Sequence, residues 1–171
     1  MAPLEHNASR LHPFNSTLET GIRALVVLEA FYPRRCDLIE MTWLDHLVVH
    51  TGDLDGQDAP ESLHPDLPNR AGELLVRRQL VERGLRMMQQ VHLVEVFETE
   101  VGIEFCASEE APSYLDLLKA PYSLALKQRA NWMANRFATL ETAEMRELIE
   151  NRIGRWTAEF RADEAPPRMS R

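Results

Sequence analysis

Three histidines and two aspartates near the middle of the chain are of the types that bind metal ions. His46 and His50 are four residues apart, and on a helix this spacing places both imidazoles on one face, where a transition metal can be held. The further ligands would be Asp53, Asp55 and His64. A zinc site needs a converging third ligand. The segment from Asp53 to Asp58 also faintly resembles a calcium-binding loop, but an EF-hand places its glycine after a third ligand and ends in glutamate. We therefore prefer a hydrogen-bonded histidine pair beside a solvated loop, and predict no metal and no cofactor.

Motifs of known enzyme classes are missing from the sequence. It has no glycine-rich loop ending in Gly-Lys-Ser/Thr, no Gly-x-Ser-x-Gly elbow and no His-Glu-x-x-His. A restriction-type nuclease needs carboxylates next to a lysine. The lysines are Lys119 and Lys127, and only Asp116 lies near one of them, at the spacing of an ordinary pair on a helix surface. We predict a protein that is not an enzyme, with no catalytic residues and no small-molecule substrate.

Arginines are concentrated in one segment of an otherwise acidic chain. The formal net charge is −8, and a strongly acidic protein does not attract phosphate backbones or anionic membranes without specificity. The cations of the basic segment are Arg70, Arg77, Arg78, Arg83 and Arg86. Arginine suits bidentate pairing with carboxylates, including those of a partner protein. These residues are candidate partner contacts, and docking of their helix in a DNA groove is the alternative.

The segment that follows argues against direct DNA binding. From Met87 to Leu118 there is no lysine or arginine, while Glu98 and Glu100 lie within a predicted wing. A wing normally lies along the phosphate backbone, where carboxylates are repelled, and neutralised phosphates supply most DNA affinity. We therefore expect DNA to be met only indirectly, and we predict that Glu98 and Glu100 face a basic partner surface.

Capping patterns indicate where the first two helices begin. Ser16 precedes Glu19 by three residues, which is a capping-box spacing, and Pro33 ends the apolar stripe that follows. Asp37 and Glu40 have the same capping-box spacing and predict the start of a second helix. Both predicted helices carry apolar residues at helical spacing on one face.

The second half of the predicted domain contains a loop, a helix and a hairpin. Residues 51–68 are acidic and rich in glycine and proline, so we expect irregular structure that is ordered by contacts or functional. Asn69 caps a third helical stretch, as one helix or two short ones, to about Val91. Residues 93–98 and 103–107 are then predicted strands, joined by a turn in which Gly102 can adopt a positive φ.

Two later apolar stripes, from Tyr122 to Phe137 and from Met145 to Phe160, predict C-terminal helices. The expected class is mostly α with a small β-hairpin, in the order of a winged helix-turn-helix with a C-terminal helical extension. The predicted parts are a single domain at 14–160 with its wing at about 93–107, a flexible N-terminal arm at 1–13 and a flexible C-terminal tail at 161–171.

Cellular location is predicted from what the sequence lacks. No stretch approaches the ~18 apolar residues that span a bilayer, and residues 1–13 contain no apolar run of a signal peptide. Cys36 and Cys106 do not make a disulfide framework, so we expect reduced, partly buried thiols. These observations predict a cytoplasmic protein without a membrane partner.

Several longer motifs carry a family resemblance. They are FNSTLETGIR at 14–23, DHLVVHTGD at 45–53, SLHP at 62–65, RAGELLVRR at 70–78 and GIEF with ASE between 102 and 109. Over roughly Phe14 to Phe160 the chain resembles the middle components of bacterial ABC three-component systems, and it is most similar to the second middle-component family.

The resemblance implies a winged-helix protein with two partners, an ABC ATPase of the SMC/Rad50 type and an effector that is often a nuclease. Related Lamassu-type systems defend bacteria against phages and plasmids. The middle component is similar in role to the winged-helix accessory subunits of condensins, and no catalytic residue is carried over. We expect an adaptor that couples the ATPase to the effector, with homodimer formation left open. The alternative is a DNA-binding repressor of its own operon.

Overall fold

The computed structural model describes residues 16–54, 57–66 and 70–163. Its elements are α1 (Thr17–Phe31), β1 (Cys36–Asp37), α2 (Leu38–Val49), a 3-10 turn (Thr51–Asp53), α3 (Arg70–Gln90), β2 (Val94–Thr99), β3 (Gly102–Ala107), α4 (Ala111–Leu115), α5 (Pro121–Phe137) and α6 (Thr142–Asp163). The predicted class is confirmed as mostly helical with a small antiparallel sheet. The predicted arm at 1–13 lies outside the described residues. So does the predicted tail, apart from its first residues, which α6 includes.

Both predicted capping boxes are present. The Glu19 backbone N–H donates to Ser16 Oγ at 3.1 Å, and the Ser16 N–H donates to the Glu19 carboxylate at 3.4 Å. The corresponding distances between Asp37 and Glu40 are 2.9 and 3.0 Å. Each box satisfies backbone N–H groups that the first turn of a helix leaves without a partner, so local sequence alone sets the starts of α1 and α2.

The sheet contains one strand more than the sequence predicted. β2 and β3 form the expected hairpin, and Gly102 has the positive φ, 130°, that its turn requires. β1 pairs antiparallel with β3, with Cys36 opposite Phe105, and the strand order is β1-β3-β2. A strand of two residues is too short to show an alternating pattern, so only the pairing with β3 identifies it.

Helix α2 lies in the centre of the helical packing. Every residue from Glu40 to Val49 is buried, because α1, α3, α5 and α6 all contact this helix. The sequence predicted apolar residues on one face of α2, whereas the structure buries all faces of the helix between Glu40 and Val49. A helix that is enclosed on all sides carries apolar residues around its whole circumference, and its few polar residues must find partners inside the protein.

Helices α1 and α3 cross at a pair of glycines. A Cβ atom added to Gly84 would lie 2.7 Å from the Gly21 backbone nitrogen, so α3 cannot hold a side chain at the crossing without a backbone shift. A glycine inside a helix lowers its stability by about 1 kcal/mol relative to alanine, and the close approach of α1 gives the reason for a glycine at position 84. α3 is one continuous helix through this position.

The predicted stripe of α5 is buried except for Tyr122, and the side chains of residues 153 and 156–160 in the predicted stripe of α6 lie outside the described part of the chain. α5 buries Leu126, Ala130, Met133 and Phe137, and α6 buries Met145 and Ile149. Both cysteines are free and buried. In the part of the chain that the structure describes, no helix has the length and apolar character needed to cross a membrane.

Candidate functional site

A buried ion cluster joins the first three helices. Asp45 of α2 accepts hydrogen bonds from Arg23 Nε of α1 at 2.6 Å and from Arg77 Nη1 of α3 at 2.6 Å. Arg23 Nη2 adds a second bond to the same carboxylate at 3.1 Å. All three side chains are almost completely buried. The bidentate geometry fixes the relative positions of α1, α2 and α3.

The charges in this cluster determine its protonation. Burial alone would raise the pKa of Asp45, but the adjacent guanidinium groups of Arg23 and Arg77 outweigh it and hold that pKa below its ordinary value. Glu73 lies 3.4 Å from Arg77 Nη2 and supplies a second carboxylate. The cluster is therefore ionised and internally paired. Sequence analysis missed Arg23 and Asp45, although both stand among apolar neighbours in helical segments.

The histidines lie side by side next to this cluster. His46 Nε2 is 2.9 Å from Asp53 Oδ2, and the rings of His46 and His50 are stacked with centroids 4.5 Å apart. His64 lies edge-on to His50 at 5.9 Å, and its Nε2 is 2.8 Å from the Tyr122 hydroxyl. The structure thus brings together four of the five predicted metal-type residues, while Asp55 lies outside the described residues.

These histidines are arranged for packing. Burial lowers the pKa of His50 to about 3 and that of His64 to about 4, so both are neutral at physiological pH. Their rings stack or meet edge to face, and their nitrogens do not converge on a common point. Within residues 16–54, 57–66 and 70–163, no group of three histidine, cysteine or carboxylate residues is arranged to hold a metal ion.

The acidic loop after α2 is held by hydrogen bonds. The sequence predicts a loop that is either ordered by contacts or functional. The backbone N–H groups of Leu63 and His64 both donate to the Val49 carbonyl at 3.0 Å. Arg129 of α5 donates from Nε and Nη2 to the Glu61 carbonyl at 2.9 and 2.7 Å. These bonds fasten the described part of the loop to the end of α2 and to α5.

The candidate arginines of α3 separate into two groups. Arg77 belongs to the buried cluster and cannot contact a partner in this conformation. Arg78, Arg83 and Arg86 are exposed, and Arg86 pairs with Glu82 at 2.7 Å. Among the described residues, Arg78 and Arg83 form no ion pair. The Arg70 side chain lies outside the described part of the chain.

The candidate carboxylates lie at the end of the hairpin, on different elements from the arginines. Glu98 and Glu100 are both exposed, and Glu98 stands opposite Ile103 in the strand register. Val101 is 89% exposed and Ile103 is 52% exposed. The hairpin tip is therefore apolar as well as acidic, a combination that the sequence analysis did not identify because it considered only the charges.

Comparison with known proteins gives one match. The model of the family described as ABC-three component (ABC-3C) system Middle Component 2 matches residues 13–159. No curated protein and no solved structure matches the chain.

Proposed function

The chain belongs to the Middle Component 2 family of ABC three-component systems, and from this premise we propose that it is a non-catalytic adaptor. In this proposal it couples an SMC/Rad50-like ABC ATPase to an effector, a nuclease, in cytoplasmic defence against phages and plasmids. The observation that carries the proposal is the family match, which extends over almost the whole chain. Membership of a three-component system implies partner components.

We further propose that residues 14–160 form a winged helix-turn-helix with a helical extension. The support is the order of elements: β1 stands between α1 and α2, and the hairpin β2–β3 follows α3 directly. The strand order β1-β3-β2 places the hairpin's second strand in the middle of the sheet. α4 to α6 are then the extension, and the hairpin is the wing.

The proposal that the protein is not an enzyme is supported by the contacts of its potentially reactive side chains. Asp45 is ionised between two arginines, and the neutral histidines beside it stack on one another. General acid–base catalysis needs a titratable group within reach of a substrate, and these groups are buried inside the domain. Among the described residues, the exposed arginines of α3 and the hairpin tip are candidate partner surfaces.

The repressor alternative has no observation in its favour. Arg77, one of the arginines of the basic segment that would reach DNA, is buried, and the hairpin exposes Glu98 and Glu100 where phosphates would lie. A gel shift at low salt with the region upstream of the operon tests this alternative directly. We expect no retardation at micromolar protein.

Copurification tests the adaptor proposal. The tagged chain is co-expressed with the ATPase and the effector of its three-component system, and all three proteins are followed through affinity and size-exclusion chromatography. We expect one complex that contains all three. Elution of the tagged chain alone, with the other two proteins soluble and folded, would remove the proposal.

A further inference from the structure

A groove between α2, α3 and α6 is open to solvent although its lining is mostly apolar. Its volume is about 170 Å³, and its lining includes Ile39, Trp43, Leu74, Leu75, Arg78 and Ile149. Leu75 is 73% exposed and Ile39 is 38% exposed, both as aliphatic side chains. An apolar cavity of roughly 150 Å³ accepts a benzene molecule. The groove therefore has room for one side chain of the size of leucine or phenylalanine.

An exposed hydrogen-bond donor accompanies this apolar surface. Arg78 is exposed at the groove and forms no ion pair with the described residues. Trp43 is buried with its ring edge against Phe137, at a centroid distance of 5.5 Å. Its indole Nε1 has no acceptor in the part of the chain that the structure describes. This atom is itself buried, so the exposed donor at the groove is Arg78. A complementary ligand would therefore combine an apolar group with a hydrogen-bond acceptor, preferably an anionic one.

The spacing of the groove residues suits a helical ligand. Leu75 and Arg78 are three residues apart on α3, so they lie on one side of the helix, one turn apart. A partner helix that carries an apolar residue and a carboxylate at the same separation would match the pair. Amphipathic helices that bind in grooves use anchors at this interval.

We propose that the α2–α3–α6 groove binds an amphipathic, acidic helix of another component of the system. The apolar anchor of that helix would fill the space beside Leu75 and Ile39, and its carboxylate would pair with Arg78. This inference rests on the proposed adaptor function and locates one of its partner contacts. It also separates Arg78 from the other exposed arginines of α3 as the one beside an apolar anchor site.

Charge and size substitutions in the three-component co-expression test the groove. Leu75→Glu places a carboxylate at the anchor site, and Arg78→Glu reverses the pairing charge. Matched controls lie in the α4–α5 connection: Leu117→Glu starts from a leucine of 75% exposure, and Lys119→Glu makes the same charge reversal. We expect each groove variant to weaken partner binding at least tenfold and each control to stay within threefold of the wild type. Thermal unfolding of the isolated chain should be the same for all four variants.

An apolar anion supplies a readout that needs no partner. Anilinonaphthalene sulfonate combines an aromatic group with a negative charge, so its fluorescence should rise on the wild type and on both controls and fall on both groove variants. Dye fluorescence that is unchanged in Leu75→Glu and Arg78→Glu overturns the groove. A wild-type chain that retains no partner overturns the adaptor function instead. A wild-type dimer that both groove variants convert to a monomer assigns the groove to a second copy of the chain and overturns the partner assignment.

Discussion

Arg77 and Arg78 are neighbours in the sequence, yet they lie on different faces of α3, one buried and one exposed. Arg77 faces α1 and α2 and pairs with Asp45 of α2 and with Glu73 of α3 itself. Arg78 faces solvent beside an apolar groove and has no counter-charge among the described residues. The number of cations in a basic segment therefore does not say how many can bind a partner. The rotation of each residue around the helix axis decides it.

The two sides of α3 differ in the same way beyond these arginines. The buried side contains the glycine crossing with α1 and the ion cluster, where space and charge are already filled. The exposed side contains Leu75, Arg78 and Arg83, whose apolar surface and donors have no partner among the described residues. We infer that the buried side holds the domain together and that the exposed side is available for binding. Two substitutions and one change of pH test whether the buried groups hold the domain together.

The largest effect is expected for Asp45→Ala. This variant leaves Arg23 and Arg77 buried without the carboxylate that both bind, and removing one partner of a buried ion pair costs about 3–5 kcal/mol. The control is Glu82→Ala on the exposed side of α3, which breaks the Arg86 pair and should cost about 0.5 kcal/mol or less. The free energy of unfolding in urea measures both. Equal losses in the two variants would contradict the contrast.

A smaller loss is expected for Gly84→Ala. The added Cβ would meet the Gly21 backbone nitrogen at 2.7 Å, and backbone atoms at a helix crossing cannot give way cheaply. We expect about 1–3 kcal/mol of destabilisation from overpacking, although alanine has the better helix propensity. Gly154→Ala in α6 is the control, because no heavy atom lies within 4 Å of its added Cβ. This control should be stabilised by up to about 1 kcal/mol, so the two effects have opposite signs in the same unfolding assay.

Mild acid should also destabilise the fold. Burial lowers the pKa of His50 to about 3 and of His64 to about 4, below the value of about 6.5 in an unfolded chain. The unfolded state therefore binds protons first. The contribution of the two neutral histidines to the free energy of unfolding is fully present above pH ~6.5. It is lost as the pH falls toward the pKa values of the folded state. The free energy of unfolding should be lower at pH 5.5 than at pH 7.5. His50→Gln should reduce that difference, because it removes one of the two histidines whose pKa is lowered in the fold. An unchanged difference in His50→Gln would mean that another group titrates.

Local signals in the sequence predicted much of the fold. The capping boxes at Ser16 and Asp37 and the turn at Gly102 depend on residues only a few positions apart, so they were identifiable without tertiary information. The helical stripes of α5 and the hairpin strands were found for the same reason. The predicted functional residues Glu98, Glu100 and the arginines of α3 came from charge counts, which do not depend on burial.

The sequence by itself determined where the helices begin, which segments form the hairpin, and which family the chain resembles. These features rest on residue types at short spacing, and neighbours in the chain produce them whatever the rest of the molecule does. Only the tertiary structure decided that Arg77 is part of an ion cluster, that β1 joins the sheet and that Leu75 stands beside an open groove. Each of these depends on contacts between residues far apart in the chain, because burial is a property of the packed helices and not of any one segment.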